Sequence, residues 1–299
     1  MVRPAAFGFN PETAATNSFQ KENTTIGRRE IELRARREFD LMAQRLRAAG
    51  VDVRVVEDTA EPVTPDAVFP NNWVSFHDDG TVVLYPMFST SRRLERRRDL
   101  IDALAASGFR VSRVVDLSHH EKEGRFLEGT GSVVFDHVEC CAYANLSSRT
   151  HPEVLNELRE AIGYSHITFR AVDGRGHDIY HTNVMLSLGD RFAIVCADSI
   201  SDAVERRLVM DSLQATGREI VVISFSQLEH FCGNVLQVRG RDGSSVLAMS
   251  TAACLAFRPE QRAVLEKYAT LVESPIPLIE SIEGGSARCM LAGVHLPRS

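Results

Sequence analysis

Short runs of apolar residues recur along this chain, and the pattern repeats: two such runs, one amphipathic helical stretch, then another apolar run. Residues 67–76 (AVFPNNWVSF) and 81–87 (TVVLYPM) read as strands around an HDDG turn. An arginine-rich helix follows at about 91–107, stops at Gly108 and gives way to the strand FRVSRVVDL. The order returns from Phe126, with FLEGTGSVVF and VECCAYANL as strands, HPEVLNELREAIG as a helix ended by Gly163, and HITFRAV as a strand. It returns again from His181 (TNVMLSLG, RFAIVCA, a helix near 201–216, EIVVISF) and from Gly233 (GNVLQVRG, SVLAMS, a helix at about 259–270, a strand beside Pro275).

The two ends complete the series. The N-terminus offers a strand at 2–9, a helix at about 28–49 and the strand VDVRVVED, while Met290 to Leu296 reads as a strand with no helix after it. Five strand–strand–helix–strand units result, one of them split between the ends. Units of this size cannot each bury their own face, so they stack into a ring or array. The expectation is an α/β fold, a five-bladed α/β-propeller forming a single domain over 1–299, with both termini in one blade. The plainer alternative is an α/β sandwich with a mixed sheet. In a ring, the residues opening each unit face a shared centre: FPNNW, FLEGTG, HTNVM, FCGN and GGSARC.

Composition narrows the chemistry. The chain has 299 residues, 44% hydrophobic and 25% charged, as in a soluble globular protein. A net charge of −6 gives no footprint for nucleic acid or an anionic membrane surface. The run RRLERRR at 92–98 is broken by a glutamate and reads as a solvated helix start with one arginine turned inward. No apolar stretch reaches the ~18 residues of a membrane span and no signal layout opens the chain, so a cytoplasmic protein is expected. The six cysteines form no C-x-x-C pair, which argues against a disulfide framework or a structural zinc site.

Most cysteines lie in apolar runs and read as core residues. Cys289 differs: it follows Gly-Gly-Ser-Ala-Arg, where glycines let backbone amides approach a ligand and Arg288 favours a thiolate. His181 opens a unit as YHTNV, placed to act as general acid and base, and Glu128 lies in LEGTG. A lone cysteine is more often inert and a lone histidine more often structural. At equivalent places in three units they favour thiol chemistry together. His177 and His230 sit near the same mouths and rank below His181, which alone carries the H-x-N pattern.

LEGTG, HTN and GGSARCM resemble the EGG, His-x-Asp and GGxxRC segments of arginine deiminase and its relatives, the guanidino-group modifying enzymes of the five-bladed pentein superfamily. SSRT at 147–150 resembles the segment that places a carboxylate-binding arginine, and PDAVFPNNW with TSRRLERR is similar to the dimethylargininase pattern. MVRPAAFGFN with FPNNW most resembles the bacterial citrulline hydrolase branch, often described as amidinotransferase-related.

The resemblance implies Cys289 as nucleophile on a guanidino or ureido carbon, His181 as proton carrier and Glu128 as its partner or as a substrate ligand. It implies Arg149, with Arg93 as the weaker candidate, for the substrate α-carboxylate. Neither a cofactor nor a metal is expected, and the partner is a small amino-acid substrate. Where the family places aspartates, this chain has Asn71, Asn72 and Asn183. Neutral amides suit a ureido group, since a buried cation without countercharge is costly. The expected reaction is citrulline to ornithine, carbon dioxide and ammonia. The alternatives are a guanidino hydrolase of the arginine deiminase or dimethylargininase kind, an amidinotransferase, and a propeller that binds a small molecule without catalysis.

Overall fold

The computed structural model describes residues 1–17 and 19–298. Near the N-terminus, β1 (Val2–Arg3) pairs parallel with β2 (Val56–Glu57). Four three-stranded sheets then follow one plan, a first strand antiparallel to a second that lies parallel to a third. They are β3 (Val74–Phe76), β4 (Thr81–Leu84) and β5 (Arg113–Asp116); β6 (Val133–Asp136), β7 (Cys141–Asn145) and β8 (Ser165–Phe169); β9 (Leu186–Leu188), β10 (Phe192–Val195) and β11 (Glu219–Val222); and β12 (Leu236–Arg239), β13 (Ser245–Ser250) and β14 (Thr270–Ser274).

A parallel pair needs a crossover, and a helix supplies each one. Arg98–Ala106, Pro152–Ile162, Ala203–Ala215 and Pro259–Glu266 serve the four sheets, and Arg28–Ala48 links β1 to β2. The middle strands β4, β7 and β10 are buried at every position, which is why they read as unbroken apolar runs. Along Arg28–Ala48, Ile31, Ala35, Phe39, Met42 and Leu46 are buried at helical spacing and form its inward stripe.

The split unit differs from the expectation. Met290–Leu296 is not a strand: among the described residues it makes one isolated bridge, Val294 to Phe76, and just beyond it Arg298 bridges Phe109. The strand expected at 2–9 shrinks to β1 because Pro4 has no N–H for a ladder, so no edge is built for a third partner. The two ends still share a core, in which Ala287, Cys289, Met290 and Leu291 pack with Phe7 and the stripe of Arg28–Ala48.

The unit openings also differ. FPNNW, LEGTG and HTNV are not strand but single helical turns, Pro70–Asn72, Gly129–Ser132 and Thr182–Val184, each leading into a sheet's first strand. Short helices at Phe225–Glu229, Thr251–Ala256 and Pro277–Glu283 were absent from the sequence pattern. No helix among the described residues is long and apolar enough to cross a membrane.

Candidate active site

The helical turns that open the units turn their side chains toward one another. Glu128 caps Gly129–Ser132 and is fully buried; His181 caps Thr182–Val184 and is 3% exposed. His181 Nε2 lies 2.8 Å from Glu128 Oε2, whose other oxygen accepts the Phe88 N–H at 3.0 Å. Gly131 makes this approach possible, since a Cβ there would come within 2.7 Å of His181 Nδ1.

Burial favours the neutral acid of Glu128, but the charges of Arg149, His181 and Arg92 and the His181 hydrogen bond outweigh it. They hold the carboxyl far below its ordinary range. Burial dominates at His181 instead and pushes it down to about 4, against the pull of Glu128.

Cys289 follows Pro277–Glu283, which ends at Gly284 with φ +65°, a left-handed turn that glycine adopts without strain. Its thiol is buried. Asn183 Nδ2 stands 3.4 Å from Sγ and Asn234 Nδ2 stands 3.2 Å away, two amide donors aimed at the sulfur. Burial pushes the core thiols Cys196 and Cys232 up to about 11 and about 12, as expected of inert cysteines.

Arg149 is buried against Glu128 at 3.3 Å, and its guanidinium lies 4.8 Å from the Tyr180 ring centre. Its Nη2 donates to the Thr13 carbonyl at 2.8 Å and its Nε to Thr16 Oγ1 at 3.0 Å, so the N-terminal segment is drawn onto the site. Asn72 lines the same pocket. Asn71 is fully buried behind it with both amide atoms unpartnered. Arg93 is not at the pocket: it donates to the Met87 carbonyl and stands 3.5 Å from Glu121. Its neighbour Arg92 is the arginine turned inward, paired with Glu95 at 2.9 Å and donating to Asn72 Oδ1 at 2.8 Å. His177 and His230 are exposed and outside the pocket.

The pocket is rich in carboxyl groups. Asp66 and Glu283, which sequence reasoning passed over, line it together with Cys289 and His181. Glu283 Oε1 has no partner, and burial with the adjacent Asp66 charge pushes this carboxyl well above its ordinary range. Glu95, behind Arg92, is pushed up to about 8, first by burial. Four buried carboxyl groups therefore face two arginines. Asp66 lies in PDAVF and Glu283 immediately before GGSARC; their signal was being acidic within or beside an otherwise apolar or glycine-rich run. Asn234 lay in FCGN, already marked as a unit opening. Thr13, Asn17 and Gln20, which also line the pocket, carry no sequence signal of their own. Away from the pocket, His119, His120 and Glu157 bring one ligand atom each within 4.8 Å of one another, a cluster that linear spacing did not show.

A family model described as N,N dimethylarginine dimethylhydrolase, eukaryotic, matches residues 3–296. No curated protein matches the sequence. Among solved structures, the chain resembles ArgZ, an arginine dihydrolase from the ornithine–ammonia cycle in cyanobacteria, with a TM-score of 0.75 at 18% identity. All of this chain is covered there, and it spans 40% of the length of that protein. The substrate-bound N-terminal domain of ArgZ gives a TM-score of 0.72 at 17% identity, over 97% of this chain and 95% of that one. A dimethylarginine dimethylaminohydrolase variant with an S-methyl-L-thiocitrulline adduct gives 0.61 at 14% identity, over 97% and 96%. Likeness at these identities shows a shared fold of mixed sheets and helices.

Proposed function

Since the chain belongs to the family of N,N dimethylarginine dimethylhydrolases, whose model spans residues 3–296, we propose that it hydrolyses a C–N bond of a guanidino group. The reaction uses Cys289, His181 and Glu128 in one catalytic domain, with the five units arranged as propeller blades around the site. The observation that carries the guanidino reading is the excess of buried carboxyl groups, above all Asp66 and the unpartnered Glu283 oxygen beside Cys289. A guanidinium entering there favours the ionised form of Glu283 and supplies donors to its free oxygen and to Asp66, which a neutral ureido group does less well. The expectation of a citrulline substrate rested on Asn71, Asn72 and Asn183 and on the resemblance of MVRPAAFGFN and FPNNW to the citrulline hydrolase branch; the guanidino alternative fits the pocket better. Asn183 instead lies against the sulfur.

In this mechanism Cys289 gives its proton to neutral His181 as sulfur attacks the guanidino carbon, with the Asn183 and Asn234 amides stabilising charge on sulfur. The imidazolium, steadied by Glu128, protonates the departing nitrogen, which leaves as ammonia or an alkylamine. The thiouronium left on Cys289 then takes up water, whose proton passes to His181. Collapse returns that proton to sulfur, releases the hydroxyl proton to the departed amine, and frees a ureido product. Arg149 is the candidate partner for the substrate carboxylate. The pocket retains about 20 Å³ of free space, no more than one water, so entry requires lining residues such as Thr13, Asn17 and Gln20 to move aside.

The test is product analysis with arginine, N,N-dimethylarginine and citrulline in parallel, on the native chain and on Asp66→Asn. Turnover of a guanidino substrate, with KM raised about tenfold or more by Asp66→Asn, supports the reading. Turnover of citrulline alone, unaffected by Asp66→Asn, overturns it. The likeness to arginine dihydrolase motivates a second reading, in which the ureido product is hydrolysed again; ornithine formed from arginine distinguishes it.

A further inference from the structure

Four arginines among the described residues are more than nine-tenths buried: Arg92, Arg149, Arg218 and Arg288. Three have a carboxylate, with Arg92 on Glu95 at 2.9 Å, Arg149 on Glu128 at 3.3 Å and Arg218 on Asp136 at 2.5 Å. Arg288 has none within 4.0 Å among the described residues. Its guanidinium donates once, from Nη1 to the Leu186 carbonyl at 3.3 Å, and its Nε has no partner. Burial lowers it to about 10, and the one opposing influence is its neighbour Cys289. A buried cation in this position calls for an anion.

Arg288 lines a cavity of about 500 Å³ that Cys289 does not line, while Cys289 lines the catalytic pocket and Arg288 does not. Adjacent residues thus face two separate spaces. The second cavity collects further N–H donors in its imidazoles. His137 and His295 line it with ring centres 4.0 Å apart, and the Tyr164 hydroxyl holds His137 Nδ1 at 3.1 Å. Burial, then the charges of His295, His77 and Arg288, push His137 down to about 3, so its ring is neutral and can donate one N–H. The cavity's buried acid, Asp136, is already held by Arg218, and Asp190 by Arg239 at 3.2 Å. Asp78, at the solvent edge, is the remaining carboxylate there.

We propose that this second cavity binds a small oxyanion, on Arg288 with His137 and His295, and that the bound anion draws the Arg288 charge away from the Cys289 sulfur. The coupling half rests on Cys289 being the nucleophile; the binding half does not. Phosphate and carboxylate share the chemistry these donors recognise, and the experiment separates them.

Calorimetric titration of the full-length Cys289→Ala chain with inorganic phosphate, and separately with succinate, tests binding without any turnover. Saturable binding of either at one site per chain, weakened at least about fivefold by Arg288→Gln and by His295→Gln, is expected. His295 is exposed, so its replacement reads the site without endangering the fold. In the native chain, iodoacetamide labelling of the Cys289 peptide, followed by mass spectrometry, is expected to slow at least about threefold at saturating anion. The absence of saturable binding overturns the proposal, as does binding indifferent to both substitutions or binding displaced by arginine. Binding with unchanged labelling overturns the coupling. None of these outcomes depends on which guanidino compound is hydrolysed.

Discussion

Cys289, His181 and Glu128 come from segments far apart in sequence, and their closeness depends on the helical turns that open the units. The sequence made these residues legible because each stands beside glycines or a polar break in an apolar run. It left Asp66, Glu283 and Asn234 unreadable as site residues, because an acid or amide in a turn has many ordinary roles and only packing shows which is unpaired. The asparagine argument is weakened for the same reason: substitution of a carboxylate at one position says nothing about carboxylates delivered from another. Cys289→Ala is expected to lower turnover of a guanidino substrate by about a thousandfold or more while leaving the thermal midpoint within a few degrees. Asn234→Ala removes a donor 3.2 Å from the sulfur and is expected to cost about ten- to a hundredfold in kcat with little change in KM, measured by steady-state kinetics.

Helices and middle strands were legible because burial on both faces, or on one stripe, writes a periodic pattern. The unit openings were misread as strand because a single turn of three or four residues shows no period at all. Pro277–Glu283 was missed for its shortness, yet it carries the chain to Gly284 and Cys289. Its N-terminal N–H groups, Leu278 and Ile279, both donate to the Glu38 carboxylate at 3.0 Å. Burial raises Glu38 to about 7 despite those donors. A carboxyl raised above its unfolded value contributes stability that is complete below about pH 4.5 and is lost as pH rises through 7. The stability of the native chain relative to Glu38→Gln, compared by urea unfolding between pH 5 and 8, is therefore expected to fall as pH rises. A native chain that gained on the variant with rising pH would contradict this assignment.

At the scale of the molecule, the repeat of one strand order predicted the plan of the four complete sheets. The split unit was only half legible, since sequence showed that the ends meet but not that Pro4 cuts β1 short. What joins the C-terminal segment to the rest is packing more than a ladder: Leu296 is buried among Phe76, Val82 and Phe109, and the Arg298 guanidinium lies 4.5 Å from the Phe109 ring centre. Leu296→Ala is expected to cost about 2–4 kcal/mol in urea unfolding. A change below about 0.5 kcal/mol would show that this segment does not hold the ends together.

In the proposed mechanism the whole arrangement, two ends meeting behind a buried thiol and a histidine–glutamate pair before it, serves one chemical step, the bond between Cys289 sulfur and a guanidino carbon. Acid quenching during turnover of arginine or N,N-dimethylarginine, followed by peptide mass spectrometry, measures that bond directly. A thiouronium adduct on the Cys289 peptide, absent from the exposed Cys140 and from the Glu128→Gln and His181→Ala chains, is the expected result. Turnover that persists in Cys289→Ala, with no adduct at Cys289 in the native chain, would contradict the account.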